Sequence, residues 1–176
     1  EMIRAIDESS RSAGQILDHA MVNFRADQFE VNKINLPDLV RDVCERLSPL
    51  AGLKDIAINI QSQDSDMLFQ GDTILLENAL RNILDNAIKY SPDDSVITVN
   101  CFRDEKFIIL FQDCGRGFSG NAHTNRFIRG TNVGDVIGSG LGLTIANEVA
   151  IAHGGSLSIN KSEKGVGSCV SLILPI

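Results

Sequence analysis

Between Thr73 and Tyr90 the chain repeats apolar residues at the spacing of an α-helix, and the rest of that helix is unusual. On a wheel of about 100° per residue, Leu76, Leu80, Ile83, Leu84, Ala87 and Ile88 form one stripe that must be buried. Asn78, Asn82, Asn86 and Lys89 gather on another face. Asparagine is a mediocre helix former because its side chain competes for backbone hydrogen bonds, and Glu, Lys or Gln would serve a solvated face better. A plain solvated face is one reading. The other is that amide oxygens hold a hard cation while Lys89 meets an anion. Magnesium suits such a face, because it takes oxygen ligands, keeps several waters and is shared with substrate phosphates.

The whole chain has room for the core that such a stripe needs. Its 176 residues are 43% hydrophobic and 22% charged, with four prolines, which excludes a disordered chain. A net charge of −7 and a pI of about 4.9 argue against nucleic acid as a partner, while single cations remain available for a small anion such as a nucleotide. Cys44, Cys101, Cys114 and Cys169 are scattered without a CxxC pair, so free thiols are expected rather than a zinc or disulfide framework. No apolar run approaches the ~18 residues of a membrane span. A first residue of Glu1 rather than Met is expected of a piece of a longer protein, in which an upstream membrane segment remains open.

Along the chain, Ile3, Ile6, Ala13, Leu17, Ala20 and Phe24 mark a heptad-like seam on one long helix with no antiparallel partner nearby. A polar, turn-like stretch over 26–33 suggests a boundary. The spacing then predicts a helix from Pro37 to Gly52, with proline in its first turn and glycine as C-cap. DIAINI (55–60) and MLF (67–69) read as strands, followed by the helix over 73–90, which Ser91-Pro92 ends. VITVNCF (96–102) and KFIILFQ (106–112) are predicted strands. Residues 113–140 form a Gly-, Asn- and Thr-rich loop whose length points to function. A helix over 141–153, stopped by Gly154-Gly155, precedes a hairpin of SLSIN and SCVSLIL. The order of elements predicts an α+β fold, a two-layer α/β sandwich with a mixed sheet and helices on one face.

Two further motifs carry chemistry. DCGRG, Asp113 to Gly117, follows a strand; an ionised Asp accepts hydrogen bonds only and suits the amino group of a base, while Gly115 and Gly117 let backbone approach a planar ligand. Taken alone, it is more readily a strand-ending turn. GSGLGL, Gly138 to Leu143, opens a helix whose free N–H groups suit phosphate. It is neither a GxxxxGK[ST] loop nor a dinucleotide fingerprint after a strand.

Taken in order, these motifs resemble the GHKL ATPase superfamily (the Bergerat fold), and more narrowly the catalytic and ATP-binding domain of bacterial two-component sensor histidine kinases. NILDNAIKYS at Asn82–Ser91 is similar to that family's N box, DCGRG to its G1 box, RFIRG at Arg126–Gly130 to the end of its F box, and GSGLGLTIA to its G2 box. The resemblance covers residues 35–176. It implies that 1–27 are the second helix of a dimerisation and histidine-phosphotransfer hairpin, with 28–34 as linker. It further implies ATP and Mg²⁺ as cofactors, with Asn86 on the metal and Asn82 assisting. Lys89 would contact phosphate, with Tyr90 near the nucleotide and Asp113 on the adenine amino group. Arg129 would reach the terminal phosphate, and Phe127, Gly115, Gly117, Gly138, Gly140, Leu141 and Gly142 would line the nucleotide site. Asn82, Lys89 and Arg129 are the catalytic candidates. ATP-hydrolysing members of the superfamily carry Glu where this chain has Asn82, which cannot take a proton; transfer to a protein histidine is therefore implied rather than activation of water.

The implied partners are a second copy, through the N-terminal hairpin, and a response-regulator receiver domain. The implied location is a cytoplasmic domain of a protein anchored in the bacterial inner membrane. Some features depart from the family. His19, in DHAMVN, does not match the family's H box, and His123 and His153 read as structural or neutral. Thr124 stands where the first F-box aromatic falls, and Cys114, Arg116 and Phe118 are atypical fillers. A nucleotide-binding pseudokinase and a GHKL hydrolase are the alternatives to the kinase.

Overall fold

The computed structural model describes residues 28–115, 141–161 and 167–176. The expected helix over 1–27, with His19, lies outside these residues, as do the RFIRG segment and His123. The elements are β1 (Asn32–Asn35), α1 (Leu36–Gly52), β2 (Ala57–Ser62), β3 (Leu68–Gly71), α2 (Thr73–Tyr90), β4 (Val96–Arg103), β5 (Phe107–Gln112), α3 (Leu141–Ala152), β6 (Ser156–Lys161) and β7 (Ser168–Leu174). The bounds of α2 are those of the apolar periodicity. Two details differ from expectation. Asn32–Asn35, which overlaps the end of the stretch read as polar linker, pairs antiparallel with β3 as a two-stranded sheet, so backbone pairing there overrides a polar composition. Gly52 is the last residue of α1 rather than its cap, and the left-handed residue after it is Asp55 (φ 53°), a residue type that tolerates that conformation.

The main sheet has the order β2-β4-β5-β7-β6, with β2 and β4 parallel and the remaining neighbours antiparallel. It is a mixed sheet, as an α+β sandwich requires. Alternate residues of its central strands are buried: Ile97, Val99 and Cys101 of β4, then Phe107, Ile109 and Phe111 of β5. The residues between them are mostly half-buried, as on a sheet whose helices cover one face. Leu39, Val40 and Val43 of α1, the whole predicted stripe of α2, and Ile145, Ala146 and Val149 of α3 complete one hydrophobic core. All four cysteines are free thiols; burial pushes Cys44 up to about 11 and Cys101 to about 12.

Helix α2 starts at a fully buried N-cap, Asp72. Its Oδ1 accepts from the N–H groups of Ile74 (3.0 Å) and Leu75 (3.1 Å), and its Oδ2 accepts from the Glu30 N–H at 3.1 Å. The Asp72 N–H donates to His153 Nε2 at 3.0 Å, just past the end of α3. The other ring nitrogen, Nδ1, lies 2.8 Å from the Val149 carbonyl and donates to it, so this buried ring is neutral with its proton on Nδ1. Phe29 and Phe69 pack on the ring, at centroid distances of 4.8 and 5.9 Å. His153 is thus the structural residue expected.

Burial lowers the His153 pKa below its ordinary 6.5, against smaller opposing effects of the Val149 carbonyl and Asp72. The unfolded chain therefore binds more protons at this ring than the folded one. The ring's contribution to stability is complete above pH ~6.5 and is lost as pH falls through that value towards the lowered folded one. His153→Leu removes the acceptor for a buried N–H and should cost about 1–3 kcal/mol at pH 7.5. Urea unfolding at pH 7.5 and pH 5 should show that this deficit shrinks at the lower pH; a deficit that grows would contradict a neutral ring.

Candidate functional site

The three asparagines are not equivalent. Asn78 is buried, and the Asn82 Nδ2 group donates both to its carbonyl (2.9 Å) and to its Oδ1 (2.7 Å). Asn78 is an anchor: it consumes the donors of Asn82 and leaves the Asn82 Oδ1 turned outwards. That oxygen faces the first turn of α3. A Cβ built on Gly142 would stand 3.1 Å from Asn82 Oδ1 and 3.3 Å from Asn86 Nδ2, so the start of α3 lies close against the amides and a side chain there would press on them. With Asp72 on His153 at the other end, α2 and α3 run antiparallel. No hydrogen bond to a described residue fixes the amide of Asn86, whose oxygen and nitrogen can exchange places. Among the described residues no three His, Cys, Asp or Glu side chains gather as metal ligands. The oxygen donors this face offers a hard cation are therefore amide oxygens, which fit magnesium shared with phosphates.

Lys89 and Tyr90 close α2, both exposed, with the Lys89 ammonium 5.0 Å from the centre of the Tyr90 ring. Past β5, Asp113 is buried, and its Oδ1 accepts from the N–H groups of Gly115 (2.7 Å) and Ser168 (2.9 Å). Its own N–H donates to the Ser168 carbonyl at 3.0 Å, so the pairing of β5 with β7 runs one residue beyond the strands. Gly167 (φ +96°) turns the chain into β7 so closely that a Cβ there would stand 1.6 Å from the Asp113 carbonyl. Desolvation raises the Asp113 pKa, and the bonds from Gly115 and Ser168 oppose it. The side chain is thus a rigidly held acceptor on a partly dry surface. A Cβ on Gly115 would lie 2.8 Å from the Tyr90 carbonyl, which puts the Asp113 turn against the end of α2.

The structure therefore brings Asn82, Asn86 and Gly142 together and sets Tyr90 beside the Asp113–Gly115 turn. Gly117, Phe127, Arg129, Gly138 and Gly140 lie outside the described residues, as does the side chain of Leu141. Three contributors carry no sequence signal of their own. Asn78 looked like one more member of the polar face, whereas Ser168 and Gly167 act on Asp113 only through strand pairing.

Residues 71–176 match the family model described as the histidine kinase-, DNA gyrase B- and HSP90-like ATPase. The chain belongs to that family. Over 94% of its length it is 32% identical to the sensor protein QseC of Salmonella typhimurium, of which it covers 37%. It is also 28% identical, over 99% of its length, to the signal transduction histidine-protein kinase/phosphatase MprB of Mycobacterium leprae, covering 34% of that protein. The chain thus spans about a third of the length of these relatives. Among solved structures, a mycobacterial sensor histidine kinase MprB superposes with a TM-score of 0.67 at 25% identity, over 83% of this chain and 97% of that one. The cytoplasmic segment of histidine kinase QseC gives a TM-score of 0.64 over 97% of this chain and 94% of that one, at 23% identity, a likeness of fold.

If Asn78 anchors Asn82, the two side chains are energetically coupled. Asn78→Ala and Asn82→Ala, combined in a double-mutant cycle by urea unfolding, should show a coupling of about 0.5–1.5 kcal/mol. Additive losses would contradict the anchoring of Asn82 by Asn78.

Proposed function

We propose that this chain is the ATP-binding catalytic part of a sensor histidine kinase, transferring the γ-phosphate of ATP to a protein histidine. The observation that most supports the reading is the contact of Gly142 with Asn82 and Asn86. It sets the start of one helix, whose first N–H groups have no intrahelical acceptor, beside a face of amide side chains on another. Asp113 is the proposed reader of the adenine amino group, its acceptor geometry already set by Gly115 and Ser168. Lys89 contacts phosphate and Tyr90 borders the nucleotide. Asn86, with Asn82 assisting, would hold Mg²⁺, which would supply charge neutralisation at the phosphates.

The reaction itself asks mainly for positioning and electrostatics. The acceptor imidazole nitrogen forms a bond to the γ-phosphorus as the bond to the ADP oxygen breaks, and ADP leaves with that electron pair. Asn82 has no proton-accepting group, so the site holds no base at that position to activate water. This favours transfer over hydrolysis. Arg129 is proposed to reach the γ-phosphate, with Gly117, Phe127, Gly138, Gly140 and Leu141 completing the nucleotide site. The further proposals are dimerisation through an N-terminal helical hairpin spanning 1–27, relay to a response-regulator aspartate, and a cytoplasmic position in a protein anchored in the inner membrane.

ATP and ADP should stabilise the domain by roughly 2.7 kcal/mol at a hundred times their dissociation constant, and GTP, which presents a carbonyl where adenine presents an amino group, much less. Asp113→Asn should remove most of that preference. Equal thermal shifts with ATP and GTP would exclude the adenine-reading role. Asn86→Ala should change melting without ligand by no more than about 0.5 kcal/mol while weakening Mg²⁺-dependent ATP binding. Affinity that ignores both Mg²⁺ and this substitution would count against the metal assignment.

A further inference from the structure

Lys54 lies in the turn after α1, far in sequence from every residue assigned so far, yet its ammonium is spent on the end of α2. Its Nζ donates to the carbonyls of Ile88 (3.0 Å), Lys89 (3.4 Å) and Ser91. The same turn is latched again by the Asp94 N–H, which donates to the Lys54 carbonyl at 2.9 Å, and by the Asp93 carboxylate 3.9 Å from Nζ. A helix leaves its last carbonyls without intrahelical donors, and a glycine in the left-handed conformation commonly helps to satisfy them. Here α2 runs straight into an extended Ser91 (φ −70°, ψ 146°) followed by Pro92, so no such glycine is present. The one basic residue of its last turn, Lys89, lies over the Tyr90 ring. Lys54 supplies the donors instead, and its charge suits the negative end of the helix dipole.

The carbonyls it holds belong to the turn that carries Lys89 and Tyr90, and the Tyr90 carbonyl in turn abuts Gly115. We infer that Lys54 is a positioning residue for triphosphate binding, which fixes the last turn of α2 so that Lys89 meets the nucleotide phosphates. The inference rests on the proposed ATP site. It predicts more than a helix cap would. A cap serving stability alone lowers melting and leaves the affinity of the folded fraction intact, with effects independent of Lys89. A residue that works through Lys89 loses its influence once Lys89 is gone.

The test is a double-mutant cycle on the full chain, with MgATP affinity read by titration calorimetry for the parent, Lys54→Met, Lys89→Ala and the pair. Each single substitution should weaken binding about tenfold, the order of one charge-assisted hydrogen bond. The pair should be weakened by little more than either alone. Unchanged affinity in Lys54→Met, or losses that multiply in the pair, would overturn the inference. Should Lys54→Met not fold, Lys54→Gln, which keeps a donor without the charge, is held to the same cycle and the same outcomes. A parent that binds no MgATP defeats the ATP reading itself, and the inference falls with it. If the parent binds and Lys89→Ala binds equally well, the phosphate contact of Lys89 is wrong and the inference falls alone.

Discussion

The hydrogen bond from the Asp72 N–H to His153 sets one end of an antiparallel helix pair whose other end carries the proposed site. His153 and Gly142 stand eleven positions apart, ~16 Å along the helix, and between them α3 buries Leu143, Ile145, Ala146, Val149 and Ala150. Because α3 is docked by its core residues and fixed in register at His153, the place where Gly142 meets Asn82 and Asn86 is decided by packing far from any ligand. Asp72 serves three partners at once: the first turn of α2, the Glu30 backbone ahead of β1, and His153. Its burial is tolerable because both oxygens and the backbone N–H are satisfied.

Much of this was legible because α2 follows a strict period. Six apolar residues at helical spacing gave the element, its bounds and the face it buries, and the three asparagines marked the candidate face. Lys89 and Asp113 stood out as candidates by residue type and position, and Tyr90 only by the family resemblance. What was not readable depends on contacts across the sheet or between helices. Asn78 and Asn82 carry the same side chain one turn apart, and only burial tells the anchor from the presenter. Lys54 is an ordinary lysine in a polar turn until the chain folds back and places the end of α2 beside it. Asn32–Asn35 carried a polar composition that suits a linker, and their strand exists because β3 offers a partner edge.

Family membership and the identity of residue 82 bear on different questions. The family includes histidine kinase-like and gyrase-like ATPases, so membership narrows the fold and the nucleotide class without choosing the fate of the phosphate. The choice rests on local chemistry. In the folded chain the Asn82 amide nitrogen donates to the carbonyl and side-chain oxygens of Asn78. Its own oxygen turns towards Gly142, an acceptor that orients but never takes up a proton. Such a side chain is suited to aligning a charge-bearing group and unsuited to generating hydroxide.

The two halves of the proposed site are also braced by different means. Asp113 is held by backbone N–H groups at the end of a β pairing, so its position follows the sheet. Asn82 is held within α2 by Asn78, and the surroundings of Asn82 and Asn86 follow the docking of α3 on α2. The halves touch where the Tyr90 carbonyl meets Gly115, at the turn Lys54 secures. The proposed base recognition and the proposed phosphate placement therefore rest on separate supports that meet at that turn. A substitution in the β5–β7 pairing should disturb which base is accepted, one in the α2–α3 contact should disturb how phosphate is placed, and damage to the turn at residues 88–91 should reach both.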